Sequence, residues 1–218
     1  MNALNCWVAD PASSPSIAEV VEDLRALTSG TVPTFLYHPL GFVYARILAR
    51  GTATIRLHIW SEQGRPQMPL WDIHDHTFSF QSLVLLGKIR NECFAFIPDE
   101  NGPVGLFTAR YASASSILSS LGRFGDLRLC DVTLASAGEC YTMQAEVLHR
   151  SCPCSDFVAT LLRTEQAPPA SSITVVGSHD HPLTVAYKRE VVEDAISEQL
   201  LGRVVEAMES RPAHASAS

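Results

Sequence analysis

The sequence predicts an all-β fold, a jelly-roll barrel with a helix at each end. Short runs rich in β-branched and aromatic residues follow one another from Phe42 onward, and Gly, Pro, Asn and Asp separate them. This spacing is typical of a barrel built from short antiparallel strands. The runs are FVYARILA, ATIRLHIW, HTFSFQSLVLLG, KIRNECFAFI, LFTARY, LRLCDVTLA, ECYTM and FVATLLRT, followed near the C-terminus by ITVVG.

A helix is predicted on each side of these strands. Ser16 and Glu19 form a capping box that opens a helix through about Leu27, and its apolar stripe should pack on the sheet. Apolar residues at helical spacing between Lys188 and Glu209 predict a second amphipathic helix, which would pack on the barrel or on a dimer partner. We therefore expect an N-terminal segment (1–39), a barrel (40–180) and a C-terminal segment (181–218) with a disordered tail, RPAHASAS.

Two stretches of the sequence are predicted to connect elements of regular structure. Residues 112–126 (ASASSILSSLGRFGD) predict an inserted loop or short helix between barrel strands. This insertion would either cover the barrel mouth or form an ordinary surface loop. Residues 167–172 predict a linker rich in Pro and Ser.

Composition limits the function. The chain has 218 residues, 46% of them hydrophobic, which suits one domain with a single core. A net charge of -7 argues against nucleic acid and favours a small-molecule partner. No apolar run is long enough for a membrane span, and no signal segment is evident, so we expect a cytoplasmic protein with its six cysteines reduced.

The histidine pattern predicts a metal site. His74 and His76 lie at i and i+2 on a predicted strand, so both imidazoles point to one face while Asp75 points away. His149 on a later strand would complete a three-histidine set with open coordination positions. Neutral imidazole suits iron, zinc, nickel and copper, so the residues by themselves leave the metal open.

These residues resemble the two motifs of the cupin superfamily. His74, His76 and Gly87 keep the spacing of the first motif, and Gly138 and His149 keep that of the second. The usual glutamate ligand falls on Phe80 or Gln81, Met68 and Pro153 replace a Gly and an Asn, and Gln144 and Glu146 replace a Pro and a Gly. In lacking the glutamate, the chain is similar to the cysteine dioxygenase-like branch, which binds Fe(II) through three histidines and leaves positions for substrate thiolate, amine and O2.

The strand ATIRLHIW predicts part of a substrate pocket. If its inner face carries Arg56, His58 and Trp60, Arg56 can clamp a substrate carboxylate; the alternative is a solvent-facing Arg56. Arg163 is a second candidate for substrate binding, and Gln81 would hydrogen-bond a metal-bound water or substrate unless it is an ordinary strand-edge residue. Further substrate contacts, which would keep the pocket dry, are expected from two aromatic side chains, Phe78 and Phe80.

The resemblance implies an Fe(II) oxygenase that oxidises a small amine, thiol or carboxylate with O2 as co-substrate. Two alternatives stay open: an isomerase, lyase or rearrangement enzyme that uses Zn, Ni or Mn, and a non-catalytic binding protein, because the fold does not determine the function. A homodimer is expected from the resemblance alone.

Two further short patterns have plain explanations. Cys152 and Cys154 predict structural thiols, with a metal or redox pair as the alternative. His179 and His181, in a second HDH string, predict a loop, with a surface metal site as the alternative.

Overall fold

The fold comes from a computed structural model that describes residues 2–64, 71–112, 115–165, 172–188 and 190–211. The helices are α1 (Ala3–Ala9), α2 (Ile17–Thr28) and α3 (Asp194–Glu209). In chain order the strands are β1 (Leu36–Tyr37), β2 (Val43–Arg50), β3 (Ala53–Trp60), β4 (Phe80–Leu86), β5 (Lys88–Pro98), β6 (Val104–Ala112), β7 (Ser115–Ser136), β8 (Cys140–Met143), β9 (Leu148–Pro153), β10 (Val158–Glu165), β11 (Ile173–Ser178) and β12 (Thr184–Lys188).

The strands form two antiparallel sheets. The first has the order β1, β2, β3, β10, β4, β8, and the second has the order β11, β6, β7, β5, β9, with β12 also paired to β7. Strands far apart in sequence are neighbours, since β10 lies between β3 and β4 and β9 pairs with β5. This interleaving is the Greek-key arrangement of a jelly roll. The predicted all-β jelly-roll barrel with a flanking helix at each end is confirmed.

The first sheet has an apolar outer face and a more polar inner face. On β3, Ile55, Leu57 and Ile59 have no exposed surface and share one core cluster with residues of all three helices. Arg56 and His58, which alternate with them, line a cavity inside the barrel. The helices thus supply a separate core outside the barrel, and the inner face is left for polar side chains.

The predicted N-terminal helix is confirmed as α2. The Ser16 backbone N–H donates to the Glu19 carboxylate at 2.9 Å, and the Glu19 N–H donates to the Ser16 hydroxyl at 3.4 Å, which completes the capping box. The short helix α1 was not predicted, although Trp7 in it is fully buried. At the other end, α3 begins only at Asp194, because Thr184–Lys188 pairs with β7 as a strand.

The prediction of a loop or short helix at 112–126 is wrong. From Ser115 the chain forms the first half of β7, which pairs with both β6 and β12. Two strand neighbours satisfy the backbone hydrogen bonds of this Ser-rich stretch, so pairing outweighs its weak intrinsic preference for strand. Leu118 is 1% exposed there, which anchors the strand in the core.

Gly87 joins β4 to β5 in a turn that requires glycine. Its φ is +73°, and a Cβ at this position would lie 2.5 Å from the carbonyl oxygen of Phe157. Residues 212–218 of the predicted tail and nearly all of the predicted linker lie outside the described residues. Arg211, the first residue of that tail, donates to the carbonyl oxygen of Leu85 at 3.1 Å. The division at residues 39 and 180 stays a prediction.

Candidate metal centre

The fold brings His74, His76 and His149 together. His74 lies directly opposite His149, since the His74 N–H donates to the His149 carbonyl oxygen at 3.0 Å and the His149 N–H donates back at 2.8 Å. Opposite residues in an antiparallel pair project to the same side, and His76 follows two positions later on that side. The possible ligand atoms of the three side chains all lie within 4.8 Å of one another.

Backbone carbonyls orient two of these imidazoles. The Nδ1 of His74 lies 3.0 Å from the carbonyl oxygen of Asp72, and the Nδ1 of His149 lies 2.9 Å from that of Val147. A carbonyl oxygen only accepts, so each Nδ1 carries the proton and each Nε2 keeps the lone pair that binds metal. Asp75 is held elsewhere, because its carboxylate accepts the Thr174 N–H at 2.6 Å.

The three side chains fit a divalent metal. The Nδ1 of His76 is buried and has no hydrogen-bond partner among the described residues, and several neutral acceptors that converge on one point call for a cation. Nitrogen–metal bonds of about 2.1 Å place neighbouring ligand nitrogens about 3 Å apart. A limit of 4.8 Å between the three ligand atoms is compatible with one shared ion.

Burial keeps this cluster uncharged. It lowers the pKa of His74, against the opposing hydrogen bond to Asp72, and it lowers the pKa of His76 well below 6.5, with His74 and His149 adding to the effect. Burial, and then the neighbouring His74, lower the pKa of His149 to about 4. All three imidazoles are thus neutral at pH 7, which is the state that binds metal.

Aromatic rings enclose the cluster on one side. The Phe78 ring stacks on His76 with 5.0 Å between centroids and an interplanar angle of 11°. Phe80 meets His76 edge-on at 5.6 Å and lies 5.9 Å from His149. The Arg56 guanidinium carbon lies 5.9 Å from the Phe78 centroid. The site therefore pairs imidazole ligands with apolar rings and a nearby cation.

A cavity of about 1990 Å³ opens from this cluster. The structure brings most of the predicted site residues to its lining: His74, His76, His149, Arg56, His58, Trp60, Phe78 and Phe80. Sequence reasoning missed Arg46, which lines the cavity directly opposite Arg56 in the β2–β3 pair. It also missed His38, Phe42, Tyr44 and Thr160. Tyr44 and Arg46 alternate along FVYARILA, and this pattern was the available signal.

The structure corrects the predictions for Arg163 and Gln81, which lie opposite each other on the outer face of the first sheet. Arg163 is 6% exposed, and its Nε donates to the carbonyl oxygen of Trp7 in α1 at 2.8 Å. Neither side chain is among the described residues that line the cavity. Strand alternation is the reason, since the neighbours of Arg163, Leu162 and Thr164, take the inner face.

The second HDH string is a turn. The His179 ring stacks on Phe124 at 4.0 Å, and His181 packs on Trp71 at 4.6 Å. Within the part of the chain that the structure describes, His74, His76 and His149 are the only group of three or more His, Cys, Asp or Glu with metal-ligand spacing. Cys152 and Cys154 are free thiols.

None of the described helices combines the length and the hydrophobicity that a membrane span requires.

Comparison with known proteins gives little beyond these observations. No protein-family model and no curated protein matches the chain. Among solved structures, protein SO0799 from Shewanella oneidensis is similar at 10% identity with a TM-score of 0.35, over 91% of this chain and 99% of that one. A hydroquinone 1,2-dioxygenase, PnpCD, solved with Cd2+ and 4-hydroxybenzonitrile, is similar at 11% identity with a TM-score of 0.27, over 63% of this chain and 64% of that one. At such scores neither similarity carries an argument about function.

Proposed function

We propose that the protein is a metal-dependent cupin oxygenase in which His74, His76 and His149 hold one Fe(II). Its substrate would be a small metabolite with an amine, thiol or carboxylate group, oxidised with O2. The observation that carries this proposal is the cluster of three neutral imidazoles whose possible ligand atoms lie within 4.8 Å of one another, with Nδ1 of His74 and His149 already hydrogen-bonded so that Nε2 keeps its lone pair for metal. When bound, the iron would supply Lewis acidity and electrons for the reaction with O2.

The ligand set favours an anionic substrate. Three neutral imidazoles leave the full charge of a divalent ion in place, because the glutamate of the cupin motif falls on Phe80 or Gln81 and neither is a carboxylate. Arg56 and Arg46 add positive charge on the same inner face. A guanidinium binds a carboxylate through two parallel hydrogen bonds, so this pair would fix the orientation of the substrate.

The aromatic residues would protect the reaction from water. Phe78 and Phe80 cover the His76 ring from its face and its edge. Excluding water from this side strengthens the attraction between the substrate and the cationic groups. His58 and Trp60 lie on β3 beyond Arg56 and would contact the more distant part of the substrate.

Elemental analysis tests the proposal. The wild-type protein, purified without chelator, is compared with a variant in which His74, His76 and His149 are all changed to Ala. The matched control changes His179 and His181 to Ala. These two residues belong to the second HDH string, which lies in a turn outside the three-histidine cluster. We expect near-stoichiometric iron in the wild type and the control, and none in the triple variant.

The other outcomes are equally informative. Stoichiometric metal in the triple variant would overturn the assignment of the ligands. Zinc, nickel or manganese in place of iron would turn the proposal toward an isomerase, lyase or rearrangement reaction, and metal-free protein in every case would favour a binding protein. With iron present, an oxygen electrode and a series of thiols and amino acids would test O2 consumption.

Two other predictions from the sequence stay predictions, the cytoplasmic location and the homodimer. Size-exclusion chromatography with light scattering would measure the oligomeric state.

A further inference from the structure

An aromatic wall lines the cavity beside the metal centre. It consists of His38, Phe42, Tyr44, His58 and Trp60, all of which line the cavity. Phe42 stacks between His38, at 4.2 Å, and His58, at 5.0 Å, and lies 4.9 Å from the Trp60 ring. The wall reaches the metal centre, since His38 borders a small side pocket together with His74 and His76.

The size of the cavity exceeds what a free amino acid needs. Sites for drug-sized ligands typically measure about 300 to 1,000 Å³, and this cavity measures about 1990 Å³. A substrate that touches only the metal and one arginine would leave the cavity side of these largely buried rings uncovered. Aromatic rings that border a cavity can also pair with the ring of a ligand, so the wall suits a larger ligand with a ring of its own.

The charge of the cavity selects an anion. Among the described residues, the carboxylates of the lining are those of Asp72 and Glu165, and both are ion-paired with arginines outside the lining. The Asp72 pair with Arg150 measures 3.6 Å, and the Glu165 pair with Arg163 measures 3.1 Å. Three arginines, Arg46, Arg56 and Arg110, also belong to the lining, so arginines outnumber carboxylates among its described residues. A quaternary ammonium ligand, which an aromatic box can also bind, would be repelled here.

The wall contains a neutral imidazole, and a polar atom for a ligand lies beside it. Burial, and then the neighbouring Arg56, lower the pKa of His58 to about 3, so its imidazole is neutral at pH 7. Thr160 lies directly opposite His58 in the β3–β10 pair and is fully buried, and its hydroxyl has no partner among the described residues although it lines the cavity. A buried hydroxyl without a partner is costly, and a ligand atom would satisfy it.

The spacing along β2 and β3 separates the aromatic residues of the wall from the two arginines. Tyr44 and His58 face each other, and the next inward row along both strands is Arg46 and Arg56. Successive inward residues on a strand are about 7 Å apart. A ring stacked at the first row therefore lies about 7 Å from an anionic group held at the second.

We propose that the substrate is an anionic metabolite with an aromatic or heteroaromatic ring, which stacks on the aromatic wall while its carboxylate binds Arg46 and Arg56. The identity of the oxidised group rests on the proposed function. The recognition of ring and carboxylate does not, because it uses residues outside the three metal ligands.

Calorimetric titration of metal-free protein tests this inference without turnover. The probes are 3-phenylpropionate, 3-cyclohexylpropionate, propionate and 3-phenylpropylammonium. We expect 3-phenylpropionate to bind at least tenfold more tightly than propionate and more tightly than the cyclohexyl compound, because stacking rewards an aromatic ring. The ammonium probe should not bind measurably. This series needs no variant, so it stands even where a substitution disturbs folding.

Variants then locate the ring. Phe42→Leu and Trp60→Leu should each weaken 3-phenylpropionate about tenfold and leave propionate unchanged. The control Phe124→Leu, which alters a ring stacked on His179 away from the wall, should bind like the wild type. Equal affinity for propionate and 3-phenylpropionate, or tighter binding of the ammonium probe, would overturn the inference. A protein that binds no metal but keeps this preference would refute only the proposed function.

Discussion

Replacing His58 by Phe should make the protein less sensitive to acid. His58 lies inside the barrel beside Arg56, and burial followed by that guanidinium lowers its pKa from 6.5 to about 3. In the unfolded chain the same imidazole takes up a proton as the pH falls below 6.5. The unfolded state therefore binds more protons than the folded state, and the free energy of unfolding falls with pH. Phenylalanine keeps an aromatic ring in the wall and cannot be protonated.

The size of this effect follows from the two pKa values. A pH of 5 is 1.5 units below the pKa of His58 in the unfolded chain, which is 6.5, and still above its pKa of about 3 in the folded protein. Each unit corresponds to about 1.4 kcal/mol, so His58 alone costs the wild type about 2 kcal/mol between pH 7.5 and pH 5. The loss begins near pH 6.5 and is complete only near pH 3. Since small domains are stable by about 5 to 15 kcal/mol, this loss is measurable.

Urea denaturation of metal-free protein at pH 7.5, 6 and 5 provides the assay. Metal ligands contribute equally in both proteins, so their protonation cancels in the difference between wild type and His58→Phe. Tyr44→Phe is the matched control, because it changes the same wall and keeps His58; it should lose stability like the wild type. Parallel losses in wild type and His58→Phe would refute the view that burial holds the pKa of His58 low.

Two further predictions concern the packing around the barrel. Arg163→Met should lower the free energy of unfolding by about 1 to 3 kcal/mol, because the Trp7 carbonyl loses a buried donor. The metal content of this variant should stay that of the wild type. A loss of metal at unchanged stability would contradict the structural role of Arg163. Ser16→Ala should cost about 1 kcal/mol through loss of the N-cap of α2, as measured by thermal or urea unfolding; an unchanged midpoint would show that the capping box contributes nothing.

Much of the site could be predicted because its signals are local. His74 and His76 share a face through strand alternation alone, and the Ser16–Glu19 pair needs only its own turn to form a capping box. The distance along the chain to His149 was informative only through the resemblance to cupin motifs. Arg56, His58 and Trp60 were correctly grouped on one face of a strand.

The sequence by itself determined the local features of the fold. These are the alternating residues of the strands, the helix that begins after Ser16, and the shared face of His74 and His76. Alternation cannot say which face looks inward, because both faces of the first sheet are buried, one against the helices and one around the cavity. Only the tertiary structure therefore sent Arg163 and Gln81 outward and brought Arg46 opposite Arg56. The same holds for residues 115–126, since strand form there depends on hydrogen bonds to β6 and β12, which local propensity does not encode.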